Sequence, residues 1–317
     1  MSATRKERQG QELALTTMIV ALIVIFSLLP MARLLQEVIL PGGSLSVDVI
    51  YKGLVSNTTW VATWNTIAVG LGGTLFALIL GVAVAILVSI TDVRQRQAFV
   101  LCFVTPLMIA PQVTALAWLQ LFGPSSPLLN MLGIAPPLGT RNPLYSPEGI
   151  VFLLGIQYAP LVFLIVRAGM RKLPRELVEA AQSSGAGWAR VLFTIILPLM
   201  TPSIVGAAAL TFVSCVGNFG IPAFLGIPAN YLVLPTLIYQ RLAGGGPAVL
   251  SEVAFLSVLI GIIAMIGIVL QDRLSSRRDF RITSTSLSVT PYELGRWRVP
   301  MEIGMWVLIA IILVLPL

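Results

Sequence analysis

The chain has 317 residues, 57% of them hydrophobic and 10% charged, with a mean hydropathy of +0.94 and a net charge of +7. A soluble domain carries about 25% charged residues, so this composition excludes a single water-soluble core and makes the bilayer the solvent. The positive balance is not that of a nucleic-acid binder, because no basic face with interleaved stacking aromatics accompanies it. The absence of histidine removes the commonest general base and metal ligand.

A helix crosses the hydrocarbon core in about 20 residues. Apolar stretches of that length occur at roughly 13–35, 61–90, 98–122, 149–169, 199–220 and 249–270, with a seventh at 301–317. They are too long for strands and lack the alternation of a barrel, which predicts an all-α, polytopic membrane helix bundle. The first stretch is too long for a cleaved signal, and no small-x-small site precedes Arg33. Within the second, Gly70, Gly72, Gly73 and Gly81 predict close helix packing. Cys102 and Cys215 lie in apolar runs and read as small hydrophobes. The stretches 36–60, 123–148 and roughly 221–247 are rich in Gly and Pro, and are expected to form irregular connections or helices lying flat at the interface.

Charge sets the orientation. With a cytoplasmic N-terminus, only Arg33, Lys52, Arg141 and Arg241 of the 20 basic residues fall outside, so the loop at 171–190 faces the cytoplasm. The 271–300 segment is polar and rich in Ser, Thr and Arg. It reads as a cytoplasmic linker, and Arg277, Arg278 and Arg281 are candidates for lipid headgroups. From Met301 a new apolar run begins and stops at Leu317 without a polar tail. A carboxylate in mid-membrane is expensive. The expected account is therefore that 301–317 is the truncated first helix of a second half; the alternative is a short seventh helix ending at the far interface. The expected organisation is a tail, first span and external loop at 1–60, a core at 61–270, the linker at 271–300 and the further helix at 301–317.

The 171–190 loop carries more pattern than a connection needs. Proline at 174 suits the first helical position, Glu176 and Glu179 complement the helix N-terminus, Ala180 and Ala181 favour helix without bulk, and Gly185 is a natural stop. These residues predict a short helix from about Pro174 to Ser184, followed by a return to the membrane through Val191–Leu197, with Pro198 and Pro202 shaping the next span. Glu179-Ala180-Ala181, Gly185, Ile195 and Leu197-Pro198 stand in a spacing that resembles the cytoplasmic EAA signature of binding-protein-dependent ABC importer permeases, matched at all seven positions.

The resemblance implies a six-helix importer transmembrane domain, plus the start of a further helix, in a bacterial inner membrane. In that family the signature forms a coupling helix that docks on separate ATPase subunits. Two ATPases acting as a dimer, an extracytoplasmic substrate-binding protein and a second permease half, fused or separate, would be the partners, besides membrane lipids. The chain has no GxxxxGK[ST] loop. ATP is therefore expected to be used by the partner, with no cofactor on this chain and no catalysis by it. Asn218-Phe219-Gly220-Ile221-Pro222-Ala223-Phe224-Leu225-Gly226, followed by Tyr239, is similar to the segment after the EAA loop in ferric-iron-type permeases. That similarity implies ferric iron as cargo, with thiamine, 2-aminoethylphosphonate, polyamine or sulfate as alternatives.

Buried polar groups are costly in a membrane and often mark a pathway. Asn65, Gln112, Gln120, Gln157 and Asn218 are the candidates, each equally able to satisfy neighbouring backbone or bridge two helices. A secondary transporter would place ionisable residues at mid-membrane, and an integral membrane enzyme would need a convergent acid/base or metal set. The spans carry almost no ionisable groups, and the acids are scattered.

Overall fold

The computed structural model describes residues 14–40, 48–171, 173, 175–246, 249–276 and 298–316. Every regular element among them is helical. In chain order these are α1 (Ala14–Ile39), α2 (Asp48–Val55), α3 (Asn57–Ile90), α4 (Arg96–Val104), α5 (Pro111–Leu121), α6 (Pro127–Met131), α7 (Pro147–Met170), α8 (Arg175–Ser183), α9 (Trp188–Val216), α10 (Gly220–Leu225), α11 (Leu234–Gly244), α12 (Val249–Ser276) and α13 (Arg298–Ile309). Five of the described helices are long and apolar enough to span a membrane, and a bent pair makes up to six.

The described residues fall into two units, one within Met1–Trp60 and Leu237–Gly261, the other within Val61–Thr236 and Ile262–Leu317. Of the stretch 61–270, residues 61–236 and 262–270 lie in the second unit and 237–261 in the first. In the first unit, Val38 is the only buried residue of α1. Ser251 donates to Glu37 at 3.0 Å, and Trp60 donates its indole N–H to the Leu54 carbonyl at 2.6 Å.

The second unit is organised around α7. Ser146 caps it by accepting from the Gly149 N–H at 3.1 Å, and Pro147 occupies the first turn, which is the start a polar cap followed by proline dictates. Thirteen α7 residues are buried, among them Leu153, Leu154, Gln157, Ala159, Val162 and Phe163. The glycines of α3 explain this approach. A Cβ on Gly72 would meet Val151 at 2.9 Å, and one on Gly73 would meet Leu154 at 2.9 Å. On Gly81 it would sit 2.5 Å from the Ala159 carbonyl oxygen and 2.7 Å from the Val162 Cβ. Small residues let helix backbones close together where lipid supplies no hydrophobic drive. Gly81→Ala should therefore lower the thermal unfolding midpoint more than Gly70→Ala. Overpacking costs about 1–3 kcal/mol, and Gly81 faces backbone, whereas Gly70 faces side-chain ends of Val216 and Phe212 at 3.0 and 3.2 Å.

The stretch at 98–122 is not one straight crossing. Helix α4 continues as a 3-10 turn over Thr105–Met108, the chain extends at Ile109 and Ala110, and α5 departs at 100°. Pro111 disfavours helix at Ala110, and Pro106 removes a donor just before it. The stretches expected to be external form short pieces, namely α2, α6, α10 and α11 with turns between them, as Gly and Pro dictate.

The expected linker at 271–300 is helical at both described ends, since α12 runs to Ser276 and α13 starts at Arg298. Its middle, including Arg277, Arg278 and Arg281, lies outside the described residues. The apolar run from Met301 is helical and packs on α4. Trp306 sets its ring edge on Phe99 at 6.3 Å, and Met305, Ile309 and Ile312 are buried. Arg298 pairs with Asp92 and Glu302, both at 3.2 Å, and Glu302 accepts from the Arg94 N–H at 2.8 Å.

Candidate functional site

Helix α8 stands on a small apolar footing. Leu173 and Val178 are 4% and 3% exposed, and Ala181 and Ala186 pack against the same core. On the opposite side Glu176, Leu177, Glu179 and Ala180 face outward, with Leu177 at 47% exposure. One helical turn therefore divides the Glu-Ala-Ala triplet: Glu179 and Ala180 are presented, while Ala181 helps to seat the helix. The position of proline 174 lies outside the described residues.

The stop after α8 is a Schellman closure. The Ala186 N–H donates to the Ala181 carbonyl at 3.0 Å and the Gly185 N–H to Gln182 at 2.9 Å, with Gly185 at φ +83°. That pattern satisfies orphan carbonyls and demands left-handed backbone at glycine. The Ser183 and Ser184 hydroxyls also donate to the Ala180 carbonyl, at 3.0 and 2.8 Å. A turn this thoroughly bonded holds α8 at one angle.

Ile195, Leu197 and Pro198 are not on α8. They sit in the first part of α9, where Leu192–Ile196 forms a π turn. Proline cannot donate to the carbonyl four residues back, and a widened turn just before Pro198 is one way a helix absorbs that loss. Ile195 is half-buried and Pro198 exposed. The residue lining a cavity beside Leu173 and Val178 is Ile196. Sequence reasoning missed Leu173, Val178 and Ile196 because it followed the conspicuous small and acidic residues. For Leu173 and Val178 the signal was present as apolar side chains inside an otherwise polar loop.

The four pathway candidates and Gln120 have different partners. Gln157 is 3% exposed and spends its whole amide: it donates to the Pro106 and Ile109 carbonyls at 2.9 and 3.1 Å, and accepts from the Thr114 hydroxyl at 2.9 Å. It therefore satisfies the carbonyls freed where α4 breaks. Asn218 donates to the Tyr158 hydroxyl at 2.9 Å and accepts from the Ile221 N–H at 3.0 Å, capping α10. Asn65 donates to the Leu232 carbonyl at 2.9 Å, fixing the turn before α11. Gln112 is exposed and lies against Gly220, where a Cβ would meet it at 3.0 Å; Gln120 is exposed. Gln112, Gln157 and Asn218 are linked through α5, α7 and α10, whereas Asn65 serves a different turn. Among the described residues no three His, Cys, Asp or Glu side chains gather around a metal-sized space.

The family described as "Binding-protein-dependent transport system inner membrane component" matches residues 77–280. A probable ABC transporter permease protein, y4fN, of Sinorhizobium fredii is 26% identical over 280 residues, which is 88% of this chain and 48% of that protein. The ferric transport system permease protein FbpB of Actinobacillus pleuropneumoniae is 22% identical over 96% of this chain and 45% of its own length. The chain thus spans about half the length of both relatives. Among solved structures, a bacterial ABC transporter involved in the import of the acidic polysaccharide alginate superposes with a TM-score of 0.72 at 20% identity, over 86% of this chain and 97% of that one. At that identity the likeness is one of fold.

Proposed function

The chain belongs to the binding-protein-dependent transport system inner membrane component family, and we propose that it forms one transmembrane half of an ATP-driven importer whose ATPase docks on α8. The observation that carries this reading is the division of α8 into a buried footing and a presented face, locked by the Gly185 closure. Small side chains at Ala180 permit close approach, and Glu179 offers an acceptor to a partner's donors. Glu179, Ala180, Ala181 and Gly185 make the coupling peg, and Ile195, Leu197 and Pro198 shape the helix behind it.

In this reading the chain performs no catalysis and holds no cofactor. ATP is consumed by a dimer of partner ATPases, an extracytoplasmic protein delivers the cargo, and a second permease half, fused or separate, completes the pathway. The N-terminus is cytoplasmic in a bacterial inner membrane, the orientation that puts α8 beside the ATPase and most basic residues inside.

Ferric iron is the proposed cargo, supported by the Asn218–Gly226 and Tyr239 resemblance and by a ferric permease relative whose match spans nearly the whole chain. Asn65, Gln112, Gln157 and Asn218 border the proposed pathway through the bundle. Thiamine, 2-aminoethylphosphonate, polyamine and sulfate remain the alternatives to be scored. The full-length permease, reconstituted with its ATPase and binding protein, should hydrolyse ATP several-fold faster with the iron-loaded binding protein than with the empty one. Stimulation by one of the four alternative cargoes and none by iron overturns the cargo while keeping the importer. No stimulation by any loaded binding protein overturns both.

A further inference from the structure

We propose that Arg96 and Arg171, with Ser89, form a binding site for a phosphoryl oxyanion beside the footing of α8, with the charge of Arg167 behind it. The three arginines come from the start of α4 and the end of α7. Arg167 feels the charges of both Arg96 and Arg171, and Arg96 feels that of Arg171. No guanidinium of the three makes an ion pair among the described residues. Their acceptors are few: Arg96 donates one Nη2 bond to the Ser89 carbonyl at 3.2 Å, and Arg167 lies over the Phe163 ring at 5.7 Å. Arg96 Nε, Arg167 Nε and the Ser89 hydroxyl oxygen are buried without any hydrogen-bond partner.

A general excess of basic residues on one side of a membrane explains arginines in loops, where water solvates them. It does not explain two buried guanidinium donors and a buried hydroxyl left unpaired beside three mutually repelling charges, since buried polar groups are nearly always bonded. An anion removes both costs together, supplying acceptors and neutralising the repulsion. Space is available: a cavity of about 70 Å³ is lined by Ser89, Arg96, Arg171, Leu173, Val178 and Ile196, with Arg167 outside its lining. Roughly 10–15 Å³ of such space admits one water, so a tetrahedral oxyanion fits. Planar guanidinium forks match phosphoryl oxygens in pairs. Leu173 and Val178 also seat α8, so an occupied site bears directly on the base of that helix.

Two sources offer this chemistry, an anionic lipid headgroup and free phosphate. The full-length protein, purified in phosphate-free buffer, is titrated with phosphatidylglycerol, phosphatidylcholine or inorganic phosphate while its thermal unfolding midpoint is followed. Phosphatidylglycerol retention is read by native mass spectrometry. A rise with phosphatidylglycerol alone identifies a headgroup; an equal rise with inorganic phosphate identifies a free oxyanion. In either case Arg96→Gln and Arg171→Gln should weaken half-saturation about tenfold, the worth of one charge-assisted bond. Exposed Arg190 lies off the cavity, and Arg190→Gln should titrate as the parent does. If Arg96→Gln folds poorly, Arg96→Lys keeps the charge without the fork and should still lose affinity. Identical titrations for the parent and the Arg96 and Arg171 variants overturn the proposal, as does an equal loss in Arg190→Gln. The readout is binding rather than uptake, so it stands or falls independently of the coupling role of α8.

Discussion

Replacing Gly185 with valine is expected to abolish ATP-coupled uptake while the spans stay folded. Gly185 sits at φ +83° and nothing lies within 4 Å of where its Cβ would be. The penalty is therefore conformational and not steric. Left-handed backbone costs an L-residue about 1–2 kcal/mol, and a β-branched side chain is the worst tenant. The cheapest escape is to unwind the Schellman closure, which releases the Ala186 and Gly185 bonds and lets α8 tilt. Asparagine tolerates the left-handed region, so Gly185→Asn should keep most of the activity. The comparison is made by reconstituting each variant with the ATPase and measuring hydrolysis and uptake together. The expected result for valine is hydrolysis that no longer depends on the loaded binding protein. Equal uptake by the valine and asparagine variants would contradict the coupling role.

Much of this was legible without coordinates because one physical rule dominates. In hydrocarbon every backbone group must bond within its own segment, so apolar length alone marks the helices, and the stretches at 61–90, 149–169 and 249–270 reappear inside α3, α7 and α12. Local rules also read the ends of α8, since caps and glycine stops act within a few residues. The bend near Ile109 was not legible, although Pro106 and Pro111 were in plain view. Pro160 lies inside α7 and Pro202 inside α9, and neither helix breaks there. Whether proline breaks a membrane helix depends on what satisfies the carbonyls it frees, and at Pro106 and Ile109 the answer is Gln157, 51 and 48 positions along the chain. The arginine cluster was hidden for a similar reason. Arg96 and Arg167 read as separate loop-edge charges until α4 and α7 are packed together.

That dependence makes Gln157 the most consequential polar residue in the second unit. Gln157→Leu keeps the volume but strips the Ile109 carbonyl of its donor, the Pro106 carbonyl of one of its two, and the Thr114 hydroxyl of its acceptor. Each buried group left unpaired costs about 1–3 kcal/mol. The Ile109 carbonyl has no alternative helical donor, because the chain is extended at Ile109 and Ala110, whereas the Pro106 carbonyl keeps the Ile109 N–H at 3.2 Å. The expected result is a large fall in the thermal unfolding midpoint and in the yield of folded protein, greater than that for Gly81→Ala. Gln157→Glu separates a structural role from a pathway role. A protonated carboxyl can still bond to one carbonyl, so this variant should recover part of the stability, and more of it at low pH, where the neutral form is favoured. If Gln157→Leu unfolds at the parent temperature yet changes the rate or choice of cargo, Gln157 faces the pathway and the bend is held by other contacts. If stability collapses and Gln157→Glu partly restores it, the glutamine is the strut that keeps α4 and α5 at their angle, and its effect on transport follows from that angle.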